Sequence, residues 1–247
     1  MDWLQRYYRN LLHDYRRYLR AVIGKADAES IHELRVLIKK LRAILHFFAF
    51  VDSGFDAPAE FEPYAAIFKA AGKIRDLDIT LAAVSRIEKD HKLPYNNIRR
   101  LLRTERRSSA VNLRNVAGHL LTAKKIHDAG ENMIMSRSTK KEAEDFLNHT
   151  ESVIRSEIQG RKTDKRLHNI RKLSKDYLYV SKAAKLEAKN LKFIDELQKH
   201  IGDWHDLLIA VRVIEDVEKD RWNGLLEQLK KEERKLKKNI IQLLKYY

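Results

Sequence analysis

The chain has 247 residues, 44% of them apolar, and its 50 Lys and Arg outnumber 35 Asp and Glu for a formal net charge of +15. The apolar share excludes a disordered basic tail, and eight Gly with three Pro are too few for the turns of a β-sandwich or barrel. The absence of Cys excludes disulfides, Cys-ligated zinc or iron–sulfur centres and a catalytic thiol, while the positive balance points to a polyanionic partner.

Leu4, Tyr7, Leu11, Tyr15, Tyr18 and Val22 recur every three or four residues and predict a first helix ended by Gly24. Met1-Asp2-Trp3-Leu4-Gln5-Arg6-Tyr7 lacks the apolar run and cleavage site of a signal peptide. Ser30-Ile31-His32-Glu33 has the form of a capping box, opening a helix that runs to about residue 51. The most apolar stretch, 41–51, holds Arg42 and His46 and is far too short to span a bilayer. These features imply a soluble cytoplasmic protein with no membrane partner. Gly54, Pro58 and Pro63 predict a loop over 52–63, followed by a helix over 64–90, a break at 92–96 around Pro94, and a long helix over 97–128.

A Gly-, Asn- and Ser-containing stretch at 129–139 is the expected linker. Beyond it the pattern predicts helices at 140–158, 164–183, 186–200, 203–220 and 222–246. Nothing alternates with period two for long enough to make a sheet. The expectation is therefore an all-α chain, one domain over 1–247, built as half-repeats 1–130 and 140–247 with about four principal helices each. Trp3, Tyr7, Phe47, Phe48, Trp204 and Trp222 sit at core spacing.

The halves share motifs in the same order. Aligning His32 with His168 also pairs Leu34 with Ile170, Arg35 with Arg171, Leu37 with Leu173 and Lys39 with Lys175. Gly72-Lys73-Ile74-Arg75-Asp76-Leu77 matches Gly202-Asp203-Trp204-His205-Asp206-Leu207, and Arg106-Arg107 and Arg114 match Lys230-Lys231 and Lys238. Three ordered matches argue for a duplicated four-helix unit.

At about 100° per residue, His32, Arg35, Lys39, Arg42 and His46 fall within an arc of about 80°. Leu34, Leu37, Ile38, Leu41, Ile44, Leu45 and Phe48 occupy the opposite arc. An ordinary solvated face mixes signs, because like charges one turn apart disfavour the helix. An all-cationic stripe is tolerable where an anion fills it. The matching helix repeats the stripe with His168, Arg171, Lys172, Lys175 and Lys182. The first helix adds Arg16 and Arg20 on its polar face. The last helix mixes Lys231 and Lys238 with Glu232 and Glu233 and reads as a solvated face in its own right. Asp76, Asp78 and Asp206 are expected to orient basic side chains or cap helices, with no metal site.

His32-Glu33-Leu34-Arg35 with Lys39-Lys40-Leu41-Arg42 resembles the signature of the CHAD domain, the conserved histidine α-helical domain. His168-Asn169-Ile170-Arg171 with Lys175 resembles that family's weaker internal repeat. Ile74-Arg75-Asp76-Leu77-Asp78 and Trp204-His205-Asp206-Leu207 resemble its later elements. The resemblance spans nearly the whole chain. It implies two pseudo-symmetric four-helix bundles around a basic central cavity that binds inorganic polyphosphate, without a cofactor, and an association with polyphosphate granules. Carried over by position, the ligands are His32, Arg35, Lys39, Arg42, His168, Arg171 and Lys175. Helix facing and repeat pairing add Arg16, Arg20, His46, Arg107, Arg114, Lys172, Lys182, Lys231 and Lys238. Asp176 and Leu178 stand where the first copy has Lys40 and Arg42.

The chemistry agrees. A linear phosphate chain has regular negative charge and no bases, so it asks for forked Arg donors and mobile Lys charges along a track. A nucleic-acid-binding helical protein would use the same cations for phosphates, but no helix-turn-helix, zinc-finger or RRM pattern is present. A phosphohydrolase would need a Walker loop or an ordered carboxylate cluster for metal, and neither is seen. Glu142-Ala143-Glu144 is similar to the paired acids of CYTH triphosphatases but lacks the basic residue that follows them. The chain is therefore expected to be non-catalytic.

Overall fold

A computed structural model describes residues 3–91, 94–122, 139–187, 190–217 and 222–246. Among them are eight α-helices and no strand: α1 (Trp3–Gly24), α2 (Ala28–Val51), α3 (Ala57–His91), α4 (Asn96–Thr122), α5 (Lys140–Gln159), α6 (Asp164–Ala184), α7 (Leu191–Asp216) and α8 (Asn223–Leu243), with a closing 3₁₀ turn at Leu244–Tyr246. The all-α expectation is met. The expected linker, apart from Thr139, lies outside the described residues, as do the last residues of the helix expected over 97–128.

Local chemistry explains where boundaries depart from the sequence reading. The cap of α2 is Asp27, whose Oδ1 accepts the Ser30 N–H at 2.8 Å, so the helix starts before the expected box. The 52–63 segment is not all loop: Asp56 accepts the Ala59 N–H at 3.0 Å and α3 begins at Ala57. Pro58 falls in its first turn, where a missing N–H costs nothing, and Pro63 is carried inside the helix. The helices expected at 186–200 and 203–220 are one, α7, which runs through Gly202. Glu142, the first of the paired acids noted above, closes a capping box with Thr139 at the start of α5.

In the first half, α1 packs on α2, α2 on α3, α3 on α4 and α4 back on α1. In the second, α5 packs on α6, α6 on α7 and α7 on α8. The halves join chiefly through α2 against α6 and α3 against α7, the helices that the sequence alignment pairs.

Two apolar clusters fill the molecule. The larger contains Tyr15, Ile38, Phe47, Tyr64, Ile74, Leu167, Tyr177, Ile201 and Trp204, and so draws on both halves. The smaller contains Leu77, Val84, Ile87, Leu102, Leu207, Ile214 and Leu229. Both long helices cross from one cluster to the other at the same place: α3 between Ile74 and Leu77, α7 between Trp204 and Leu207. Arg75-Asp76 and His205-Asp206 sit in those gaps. Trp204 is fully buried and satisfies its indole N–H on Glu233 of α8. Packing therefore fixes the polar residues between the clusters, and no described helix is long and apolar enough to cross a membrane.

Candidate functional site

Between α2, α3, α6 and α7 lies a cleft of about 410 Å³. From α2 it takes His32, Arg35, Val36, Lys39 and Arg42, and from α6 His168, Arg171, Lys172, Lys175 and Tyr179. The remaining wall comes from Phe68, Arg75, Asp76 and Ile79 of α3 and Gln198, His205, Asp206 and Ile209 of α7. Many of these fall in repeat-matched pairs: Arg35 with Arg171, Lys39 with Lys175, Phe68 with Gln198, Asp76 with Asp206 and Ile79 with Ile209. Seven Arg and Lys against two Asp leave a formal excess of five positive charges in the lining.

Glycine decides how the first arginine lies. A Cβ on Gly72 would come 2.7 Å from Arg35 Nη1. With hydrogen there instead, the guanidinium lies against α3, donates to the Phe68 carbonyl at 2.9 Å and stacks 4.5 Å from the Phe68 ring centre. Arg42 approaches the Phe61 and Phe68 rings at 5.8 Å each. In the second half the equivalent approach is looser, since a Cβ on Gly202 would lie 3.7 Å from Arg171 Nε. Gln198 replaces Phe68 there, so Arg171 has no matching aromatic platform. Arg42 Nε, Arg171 Nε and His205 Nδ1 are buried and find no hydrogen-bond partner among the described residues. Buried donors of this kind carry a desolvation cost that a ligand would relieve.

The cleft depresses the proton affinity of its own bases. Burial, then Lys175, Arg35, Arg171 and Arg42, push Lys39 down to about 6. Burial and Arg171 bring Lys175 down to about 8, against a hydrogen bond to Lys39 that works the other way. The two amines thus meet across the boundary between halves. His32 and His168 are lowered, first by burial and then by Arg75 and Lys172 respectively. His205 stacks on His168 at 5.2 Å and is lowered to about 3 by burial and Arg171. Asp76 and Asp206 are raised by burial, opposed by Arg35 and Arg171 respectively. Both carboxylates lie close enough to feel those arginines electrostatically, while Asp78, the third of the acids noted in the sequence, forms an ion pair with Arg106. Among the described residues no three His, Asp or Glu side chains converge as metal ligands would.

Eight of the sequence-derived residues line the cleft: His32, Arg35, Lys39, Arg42, His168, Arg171, Lys172 and Lys175. His46 does not. Its Nδ1 stands 2.8 Å from Oδ2 of the buried Asp176, so an acid that stands where the first copy has Lys40 partners the end of the first stripe. Lys182 lines an adjoining groove of about 550 Å³ that shares Lys175, Tyr179 and Gln198 with the cleft. Arg16, Arg20, Arg107, Arg114, Lys231 and Lys238 are absent from the lining, and all but the partly exposed Arg16 are exposed. Around the last two, Lys230 pairs with Glu215, Lys237 with Asp164 and Glu232 with Arg86, the mixed-sign solvated face expected of that helix.

Sequence reasoning left Phe68, Arg75, Tyr179, Gln198 and His205 out of the site. The Arg75-Asp76 and His205-Asp206 pairs were visible as motifs, and their repeat match was the signal. Phe68 and Gln198 each stand one turn before a matched glycine, a relation that acquires meaning only once an arginine is seen lying on that glycine.

An all-helical protein with a basic cleft walled by four helices is the class these features define. The model of the CHAD domain family matches residues 6–215, and the chain belongs to that family. A crystal structure of the CHAD domain from the plant Ricinus communis superposes with a TM-score of 0.69 at 18% identity, covering 100% of this chain and 94% of that one. At that identity the likeness speaks for the fold alone. No curated protein matches the sequence.

Proposed function

We propose that the cleft binds inorganic polyphosphate and does not hydrolyse it. The observation that carries this reading is the meeting of Arg35, Lys39 and Arg42 from one half with Arg171, Lys172 and Lys175 from the other around a single cleft. Two of those guanidiniums hold buried donor atoms that find no partner among the described residues. The volume of about 410 Å³ falls in the range of ~300–1,000 Å³ typical of ligand pockets, room for a few linked phosphates but not for a duplex. A chain of phosphates supplies acceptors at short, regular intervals, and Arg and Lys are the side chains suited to them.

The lining also favours phosphate over bases. Single-stranded nucleic acid is held on open aromatic faces; of the rings in the lining, Phe68 is already covered by Arg35 and His168 and His205 stack on each other, which leaves Tyr179 and His32, fewer platforms than cations. The two carboxylates of the lining face Arg35 and Arg171, which supports a binding role over metal-assisted hydrolysis. A binding module of this kind would attach the protein to polyphosphate granules. The test is competition at fixed salt: short polyphosphate is expected to displace a labelled polyphosphate at far lower concentration than single- or double-stranded oligonucleotides of equal phosphate content. Equal potency would contradict the reading.

A further inference from the structure

We infer that Lys39 is a site of covalent acylation by small acyl phosphates, the mixed anhydrides of a carboxylic and a phosphoric acid, which the guanidiniums of the cleft would hold by their phosphoryl end. The inference rests on the cleft accepting phosphoryl anions, and not on polyphosphate being its natural occupant.

Lys39 lies within the cleft on α2, with Arg35 one turn before it and Arg42 one turn after. Arg171 and Lys175 face it from α6, Asp76 of α3 opposes them, and Asp206 of α7 lines the same cleft. An anion gripped by these arginines is set beside a primary amine. Lys39 is partly buried and cations crowd its nitrogen, so in the empty cleft it sheds its proton at about 6 and meets an incoming acyl phosphate as a free amine near neutrality; a single acyl phosphate, with far less charge than a phosphate chain, draws the proton back only in part. Desolvation and a neighbouring cation are the established means of making a lysine nucleophilic.

The step balances without oxidant or metal. The Nζ lone pair attacks the acyl carbon and a C–N bond forms. The bond from that carbon to the phosphate oxygen breaks, and inorganic phosphate leaves with the electron pair, its charge met by Arg35 and Arg171. The surplus proton on nitrogen passes to solvent. The product is an uncharged amide standing in the middle of the anion track. Acylation would therefore close the cleft to polyanions in proportion to the supply of activated acyl groups.

The test uses the full chain with acetyl phosphate at about pH 7.5, following acetylation site by site by mass spectrometry. An ordinary lysine is only about 0.1% free base at that pH, whereas Lys39 is mostly so. After allowance for its weaker basicity, Lys39 is expected to react roughly tenfold faster than the exposed Lys172 and Lys182. Excess pyrophosphate should slow Lys39 and leave Lys182 unaffected. With acetic anhydride, which has no phosphoryl end, the preference for Lys39 should shrink. Arg171→Gln should reduce the preference with acetyl phosphate. Lys39 reacting no faster than Lys172, or indifferent to pyrophosphate, would overturn the inference. Fast, pyrophosphate-sensitive acetylation in a protein that fails to bind polyphosphate by calorimetry would uphold it while refuting the proposed function.

Discussion

Polyanion binding should take up protons, and Lys39 sets the size of the effect. In the empty cleft burial and four cations hold its proton affinity down to about 6. A phosphate chain laid beside it reverses the sign of its surroundings and draws the proton back. The folded, empty value is thus the depressed one, and affinity is full below it and falls as pH rises through it. At about pH 7.5 Lys39 must be protonated roughly 1.5 units above its empty value, which costs about 2 kcal/mol at 1.36 kcal/mol per unit, or roughly thirtyfold in affinity. Lys175, at about 8, extends the decline to higher pH. Calorimetric titration with a short polyphosphate at pH 6, 7 and 8, in buffers of different ionisation enthalpy, reads both quantities. Affinity should drop by up to about tenfold per pH unit for each group titrating, with net uptake of up to one proton per such group. The linked expectation for the empty protein has the opposite sense. Between pH 6 and 8 the unfolded chain holds a proton on Lys39 that the native protein does not, so this group makes stability rise with pH. Constant affinity from pH 6 to 8.5 with no buffer-dependent heat would refute the argument.

Three further expectations separate the parts of the site. Gly72→Ala places a methyl group 2.7 Å from Arg35 Nη1 and forces the guanidinium to shift off α3, so affinity should fall about tenfold with the loss of one positioned charged donor, while helix propensity offsets up to ~1 kcal/mol of any stability loss. Gly202→Ala meets Arg171 only at ordinary contact distance and should keep affinity within about twofold while raising the melting temperature; similar binding losses in both variants would contradict the glycine argument. His46→Ala leaves the buried Asp176 carboxylate without its partner and should cost about 1 kcal/mol of stability in urea unfolding, with affinity unchanged; a tenfold affinity loss at wild-type stability would return His46 to the site. Gln substitutions at Arg16, Arg20, Arg107, Arg114, Lys231 and Lys238 should each change affinity by less than about twofold near 0.15 M salt, where charges beyond ~8 Å are largely screened, and a larger loss in any of them would extend the site beyond the cleft.

The helical class and the heart of the site were readable because both are periodic. Buried Leu34, Ile38, Leu41 and Ile44 of α2 announce one face, and His32, Arg35, Lys39 and Arg42 announce the other. What periodicity cannot carry is the partner of a side chain. His46 continues the stripe faultlessly, yet the chain across the boundary offers it Asp176. Arg107 and Arg114 were paired by repeat position, but α4 packs on α1 and α3 and presents both to solvent. Glycine misled in the other direction. Gly202 looked like a break between two helices, whereas α7 runs through it unbroken and its missing side chain leaves Arg171 room beside the backbone.

The most direct measurement of the central claim is calorimetric titration of a defined short polyphosphate into wild-type protein and into Arg35→Ala, Lys39→Ala and Arg171→Ala, each checked for wild-type helicity. Arg35 and Lys39 come from one half, Arg171 from the other. Each substitution should weaken binding about tenfold or more, because both walls of the cleft grip one anion. Wild-type affinity in all three variants would contradict the claim, and loss confined to the first two would show that α2 binds without α6.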